Sequence, residues 1–343
     1  MITISILYAI LIFGALIFIH EFGHYVTARI FKVGINEFAI GMGPKIFSHR
    51  SKKTGIVYSL RLLPIGGFVS MVGEDDDVYT ENSINSKPVW QRIIVTAAGS
   101  VMNILIGFIL MFVMVISAPA IGSTTVAEFI PDATSSSYGL TVGDVIKKVD
   151  GASVHTSLDL SYEIMRRGVN EVDLTVERGG STVVVPDVRF PSFTADGIGF
   201  GDMDFKVYRM EKTVSNVVYA SFHQSIASIK MVWESLFDLV SGKYGIEHMS
   251  GPVGVTQSIG DAAKVGSSSL LLLCTVIAMN LGVFNLIPFP ALDGGRIFFM
   301  LIELVRGKPL SQKVEGYIHF AGIVLLMGLM LIITVKDVFK LFG

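Results

Sequence analysis

Charge is what this sequence is short of. Asp, Glu, Lys and Arg make up only 16% of its 343 residues, against 51% hydrophobic. Soluble domains carry about 25% charged residues, and a mean hydropathy of +0.61 excludes both a disordered chain and an ordinary cytosolic enzyme. Cysteine is nearly absent too. The one thiol, Cys274, cannot close an intrachain disulfide, and it rules out a cysteine-based zinc site. Neither sign of charge is in excess: 27 Lys and Arg against 29 Asp and Glu leave a net charge of −2. No nucleic-acid partner is expected from that balance.

What is present is long apolar runs. Met1–Ile19, Ile93–Ala118, Val265–Leu292 and Gly316–Val335 contain no Asp, Glu, Lys or Arg. Each is about 19 residues or longer, enough to cross a hydrocarbon core of ~30 Å. A core helix of a large soluble protein explains any one such run but not four. The first run has no basic residue before Arg29 and no small-residue cleavage site, so it reads as a retained helix rather than a signal peptide. Basic residues then orient the chain. Arg29, Lys32, Lys45, Arg50, Lys52, Lys53, Arg61, Lys87 and Arg92 follow the first run, and Arg296, Arg306, Lys308 and Lys313 precede the last. Both segments are expected on the cytoplasmic side. The N-terminus, the segment from about Pro119 to Lys264 and the C-terminus are expected outside.

The external segment reads as a small α+β domain. Val126–Ile130 and the stretch leading to Asp150-Gly151 have strand character, Ser157–Arg167 has helical spacing, and Gly179-Gly180 joins two strands as a hairpin. Beyond it, apolar residues from Val214 to Val240 recur at helical spacing. That amphipathic helix either lies on the membrane or packs on the small domain.

The chemistry sits inside the first run, at His20-Glu21-Phe22-Gly23-His24. Residues four apart share a helix face, so both imidazoles reach one metal ion while Glu21 stands beside them. A zinc ion lowers the pKa of a bound water to about 7, and a neighbouring carboxylate then serves as base. A solvated helix face is the bland reading of this pattern. It is costly here, because an ionisable group at the centre of a membrane helix costs about 2.5–3.5 kcal/mol. A catalytic zinc needs a third protein ligand and an open position. His24 lies near the inner end of the first helix. By alternation of the runs, Asp293 closes the third at the same depth, which makes it the expected third ligand. Taken alone, Asp293 also reads as the N-cap of a following helix. Pro288 and Pro290 break the chain just before it, and irregular backbone at that depth must line a cavity or be buried in protein. Asn103, in the second run, is another costly polar group, with interhelical hydrogen bonding as its plain alternative.

These residues resemble the bacterial site-2 proteases of the RseP type. The resemblance rests on His20–His24 together with Asn285-Leu286-Ile287-Pro288-Phe289-Pro290-Ala291-Leu292-Asp293-Gly294-Gly295-Arg296. Gly66-Gly67-Phe68-Val69 resembles the family's membrane-associated β-loop, and Ala98-Gly99 with Asn103 its second-helix motif. Ser250–Gly254 resembles the linker before the third helix, and Gly139-Leu140 with Gly143–Ile146 a PDZ domain. The resemblance implies one Zn2+ per chain held by His20, His24 and Asp293, with Glu21 as the catalytic acid and base. Asn285 is implied to hold substrate, and Asn103, Gly66 and Gly67 are grouped with it as expected substrate-binding residues.

The expected fold is a polytopic α-helical membrane protein of about four transmembrane helices with an inserted PDZ-like domain. Its parts are a first helix (1–30), a cytoplasmic-side β-loop region (31–91), a second helix (92–118), the PDZ-like domain (119–210), an amphipathic helix and linker (211–264), and the third and fourth helices (265–343). The expected activity is intramembrane proteolysis of a single-pass membrane protein already cut outside, such as an anti-sigma factor or a remnant signal peptide. It would take place in the cell membrane with the active site near the cytoplasmic face. Two other readings compete. One is a membrane scaffold that binds peptides through its PDZ-like domain and keeps an inert metal site. The other is a metal transporter, which would normally show inverted repeats.

The expected topology is testable with cysteines placed at Ser181 and Ser51 in a Cys274→Ser background. A membrane-impermeant thiol reagent added to intact cells should label the first and spare the second. The opposite pattern would invert the orientation.

Overall fold

A backbone in hydrocarbon must satisfy its hydrogen bonds within itself, so uncharged runs become helices. The computed structural model describes residues 2–74, 79–195, 197–243, 245 and 248–342. Helix α1 (Ile2–Ile30) is followed by strands β1 (Ile35–Arg50) and β2 (Val57–Met71), then by α2 (Val89–Ser117). The central segment contains β3 (Ile121–Phe129), β4 (Val145–Val149), β5 (Ala152–Ser153), α3 (Ser157–Arg167), β6 (Val172–Arg178) and β7 (Ser181–Val188). It continues with β8 (Ser192–Ala195), β9 (Ile198–Gly201), β10 (Phe205–Met210) and the long α4 (Val214–Val240). Helices α5 (Pro252–Val265), α6 (Ser267–Asn285), α7 (Asp293–Arg306) and α8 (Gln312–Phe342) complete the chain. Among the described residues, four helices (within α1, α2, α6 and α8) are long and apolar enough to cross a membrane. They leave large apolar side chains exposed, including Leu7 and Leu11 on α1 and Phe320, Met327 and Leu331 on α8. Such surface is unfavourable in water and favourable against lipid.

The chain divides into two compact units, residues 108–231 and the remainder. In the first of these, the sheet order is β10-β3-β4-β6-β7, with β5 paired to β4. Its turns are those the residues dictate. Gly179 and Gly180 have φ of +57° and +81°, and Asp150 and Gly151 have +47° and +77°, values suited to tight two-residue hairpins. Thr156 and Asp159 form a capping box that starts α3. Leu160 and Ile164 of α3 then pack with Val126, Ile146, Leu174 and Val188 in a fully buried core. Two buried carboxylates are satisfied locally. Asp144 accepts from Arg178 Nε and Nη2, each at 2.7 Å, and from the Thr141 N–H at 2.9 Å. Asp204 accepts from the N–H and hydroxyl of Ser135 at 2.9 and 2.6 Å.

In the other unit, β1 and β2 double back so that residues 37–40 have partners on both sides. Ile35 lies opposite Met71 and Ile40 opposite Gly67, while Phe38 also faces Tyr58 and Ile40 also faces Leu60. Residues 45–50 pair with 57–61 beyond them. Ala28, Phe38, Ile56, Val69, Met71, Ile84 and Val95 form the core that fixes this sheet on α1 and α2. One difference from the sequence reading has a local cause. The stretch read as linker contains α5, which starts with Pro252 at its first turn, where a missing N–H costs nothing. Asp337 of α8 caps it from outside, accepting from the N–H groups of Gly251 and Gly254 at 2.9 and 2.8 Å. The break read from the two prolines is present: α6 stops at Asn285, just short of Pro288 and Pro290.

Glu37 ties the sheet together. It accepts from Ser59 at 2.5 Å, Arg61 at 2.8 Å and Lys45 at 2.9 Å. Burial alone would raise its pKa, but these three donors outweigh it and hold the carboxyl at about 2 against an ordinary 4.5. A depressed carboxyl stabilises the fold fully above its unfolded value, and the contribution is lost as pH falls toward the folded one. Glu37→Gln should therefore destabilise the chain by about 0.5–1 kcal/mol at pH 6, the scale of a partly screened ion pair. The difference from wild type should shrink toward pH 3 in thermal unfolding of the detergent-solubilised protein. A gap that widens on acidification would contradict this role.

Candidate metal centre

Helical spacing puts His20 and His24 on one face of α1, and their Nε2 atoms lie 3.1 Å apart. Asp293, in the first turn of α7, brings Oδ2 to 3.2 Å from His20 Nε2 and 3.5 Å from His24 Nε2. It is a helical residue and not the cap, a position held by Leu292. One atom from each of these residues lies within 4.8 Å of the others, the one such cluster among the described residues. The set fits zinc on two counts. Two imidazoles and a carboxylate are ordinary zinc donors, and tetrahedral bonds of ~2.0–2.2 Å place ligand atoms roughly 3.3 Å apart. Three protein donors also leave a fourth position open.

Absent side chains make the cluster possible. A Cβ on Gly99 of α2 would stand 2.4 Å from His24 Nε2 and 2.7 Å from His20 Nε2. A Cβ on Gly23, the fourth residue of the His20–His24 motif, would stand 2.4 Å from the Ala98 carbonyl oxygen. The two helices therefore meet backbone against backbone where the imidazoles sit. From α2, the Val95 carbonyl lies 2.9 Å from His24 Nδ1. If Nδ1 carries the proton and donates there, Nε2 is left free to bind metal. Ser100, fully buried, donates to Asp293 Oδ2 at 3.3 Å. Asn103 reaches His20 Nδ1 at 3.4 Å.

The segment before Asp293 is folded tightly against α7. A Cβ on Gly294 would overlap the Leu286 and Ile287 backbone, and one on Gly295 would come 2.4 Å from the Phe289 carbonyl oxygen. Ala291 is held at φ +83°, and its N–H donates to His319 Nδ1 of α8 at 2.9 Å. Sequence reasoning passed over His319. The signal for it was the one used for Asn103: a polar side chain in an otherwise uncharged run.

Glu21 lies outside the metal cluster and beside β2. A Cβ on Gly67 would come 3.2 Å from Glu21 Cγ. Gly66, at φ +84°, packs over the Met42 side chain. Asn285 ends α6, half-buried, and no described contact joins it to the cluster. On the flank of α1 away from the histidines, an apolar cavity of about 500 Å3 opens between Phe18, Phe22 and Tyr25 and the sheet residues Phe38, Tyr58 and Leu60.

Nearly the whole chain is similar to known proteins. The family model described as peptidase family M50 matches residues 8–329. A protein of Clostridium perfringens named as a zinc metalloprotease is 34% identical, with 97% of this chain and 98% of the relative covered. A Fusobacterium nucleatum protein named likewise is 36% identical over 99% of this chain and 100% of its own length. The regulator of sigma-W protease RasP of Bacillus subtilis is 29% identical, with 97% of this chain and 98% of the relative covered.

Gly99→Ala is the sharpest test of the packing. Alanine is the best helix former, so α2 should fold. The added methyl overpacks the imidazoles by about 1–3 kcal/mol, which should weaken zinc binding roughly tenfold or more. Metal analysis of the purified variant checks this, and a full equivalent of tightly held zinc would show that the two helices do not meet as described.

Proposed function

The chain belongs to peptidase family M50 and is a zinc metalloprotease of the site-2 type, and from this premise we propose its reaction. It hydrolyses a peptide bond within or near the transmembrane segment of a single-pass membrane protein, after a first cut outside. The observation that carries the reading is the cluster of His20, His24 and Asp293 with Glu21 beside it on a helix apolar enough to span a bilayer.

In this reading His20, His24 and Asp293 hold one zinc ion. When bound, zinc supplies Lewis acidity that polarises a peptide carbonyl and makes water an effective nucleophile near neutral pH. Glu21 takes a proton from the attacking water and returns it to the leaving amide nitrogen as the C–N bond breaks. A helical substrate must first unwind, because its carbonyls are already bonded. Residues 67–71 pair on one side with 35–40 and have no strand on the other among the described residues. Gly67 brings that open edge alongside Glu21. An extended substrate segment can add there as a further strand, with Gly66 and Gly67 leaving room for its backbone. Asn285 is assigned to substrate as well.

The Lys and Arg asymmetry supports a multi-pass protein of the cell membrane with the site near the cytoplasmic face and the sheet-rich domain outside. The antiparallel sheet with its single capped helix supports a PDZ-like identity for that domain. Its role is then selection: it admits substrates already trimmed outside and excludes bulky outer domains. An anti-sigma factor or a remnant signal peptide suits that description.

Glu21→Gln tests the assignment. The variant should retain one zinc per chain and lose cleavage of a membrane-segment reporter by about 10²–10⁴-fold, the usual contribution of a general base. Zinc loss in this variant, with both histidines intact, would mean that Glu21 is a ligand and the roles are wrongly divided.

A further inference from the structure

Asn103 is 1% exposed. It has no open surface to offer a substrate, yet its Oδ1 is buried without a partner among the described residues. A buried, unpaired amide oxygen costs about 1–3 kcal/mol and calls for an explanation. Its neighbour supplies one. The Asn103 amino group faces His20 Nδ1 at 3.4 Å, long for a hydrogen bond. His20 Nε2 points the other way, into the cluster with His24 and Asp293. If Nε2 gives its lone pair to a metal, the proton of the neutral imidazole sits on Nδ1. Nδ1 is then a donor and needs an acceptor. An amino group is a donor too, so the pair as oriented sets donor against donor.

One change removes the donor–donor opposition and pairs the oxygen, the amino group taking the oxygen's place. The oxygen and nitrogen of a primary amide have nearly the same shape and exchange places by a half-turn about Cβ–Cγ. We propose that Asn103 is a positioning residue whose carbonyl oxygen accepts from His20 Nδ1, fixing the tautomer and ring orientation that present Nε2 to the metal. The buried oxygen then has its partner, and the imidazole has its acceptor. His24 sets the precedent within the same site, with its Nδ1 at 2.9 Å from the Val95 carbonyl. One histidine is held by a main-chain carbonyl of α2, the other by a side-chain carbonyl two turns further along the same helix. The cost of placing Asn103 inside an uncharged run is thereby explained without a substrate. This inference rests on the zinc-protease reading.

The test compares Asn103→Leu and Asn103→Asp in full-length protein in detergent micelles. Both are made in a Glu21→Gln background for binding and in the active background for cleavage. Zinc affinity is measured by competition with a chelating indicator, and the thermal unfolding of the zinc-free forms is followed in parallel. Leucine shares the branched skeleton of asparagine but accepts nothing, so Asn103→Leu should bind zinc 10–100-fold more weakly, the usual effect of losing such a partner. Asn103→Asp keeps an acceptor for Nδ1 and should stay within about threefold of the parent. Added zinc should restore much of the cleavage by the leucine variant, with KM little changed. Parent-like zinc affinity in Asn103→Leu together with a raised KM that zinc does not correct would overturn the proposal in favour of substrate contact. Equal loss of zinc affinity in both variants, with lowered stability of both zinc-free forms, would overturn it in favour of plain packing. No zinc bound by the Glu21→Gln parent and by the unmodified chain alike would remove the metalloprotease reading itself, and this inference with it.

Discussion

Two helices that touch without side chains between them set the terms for the site. Gly23 on α1 lies against the Ala98 carbonyl, and Gly99 on α2 lies against both imidazoles. In a bilayer, helices gain little from apolar burial against one another, so close backbone approach and polar contacts decide where they meet. Here that approach serves chemistry as well as packing. It brings the Val95 carbonyl, Ser100 and Asn103 within reach of the two histidines and the aspartate. One residue type, glycine, at two positions thus decides whether the two helices come close enough to gather these side chains.

The aspartate of the cluster arrives by a different principle. Asp293 does not come from a continuous helix but from the first turn of α7, after a stretch in which Pro288 and Pro290 prevent helix continuation. Backbone groups freed at that depth must be paired elsewhere. The segment answers with local turns, with close packing at Gly294 and Gly295, and with the bond from Ala291 to His319 of α8. The result is a rigid hook that presents a carboxylate. Rigidity matters because misplacing a ligand by about 1 Å leaves a metal site loose. The sheet built by β1 and β2 is positioned by the same helix that carries the histidines, and Gly67 of β2 lies beside Glu21.

Sequence alone went far with this chain because a bilayer is a demanding solvent. Uncharged runs of sufficient length, basic flanks and the cost of an ionisable group in hydrocarbon are all legible without coordinates. They were enough to pick out the apolar helices, the His20–His24 pair with Glu21 between, and Asp293 as the candidate that alternation brings to the same depth. Short-range signals were equally readable in the sheet-rich unit, where Gly179-Gly180 and Thr156 with Asp159 mark a hairpin and a helix start. What tertiary structure alone decided is which atoms meet. His24 and Val95 are 71 residues apart, His20 and Asn103 83, and Ser100 and Asp293 193. Periodicity places a residue on a face of its own helix but carries no information about which face of another helix it will find. That depends on interhelical distance and rotation, set at Gly23 and Gly99 by volumes that are missing. For that reason Asn103 reads in sequence as a costly amide, grouped with the expected substrate-binding residues. Only with α1 packed against α2 does it become the group that stands behind His20.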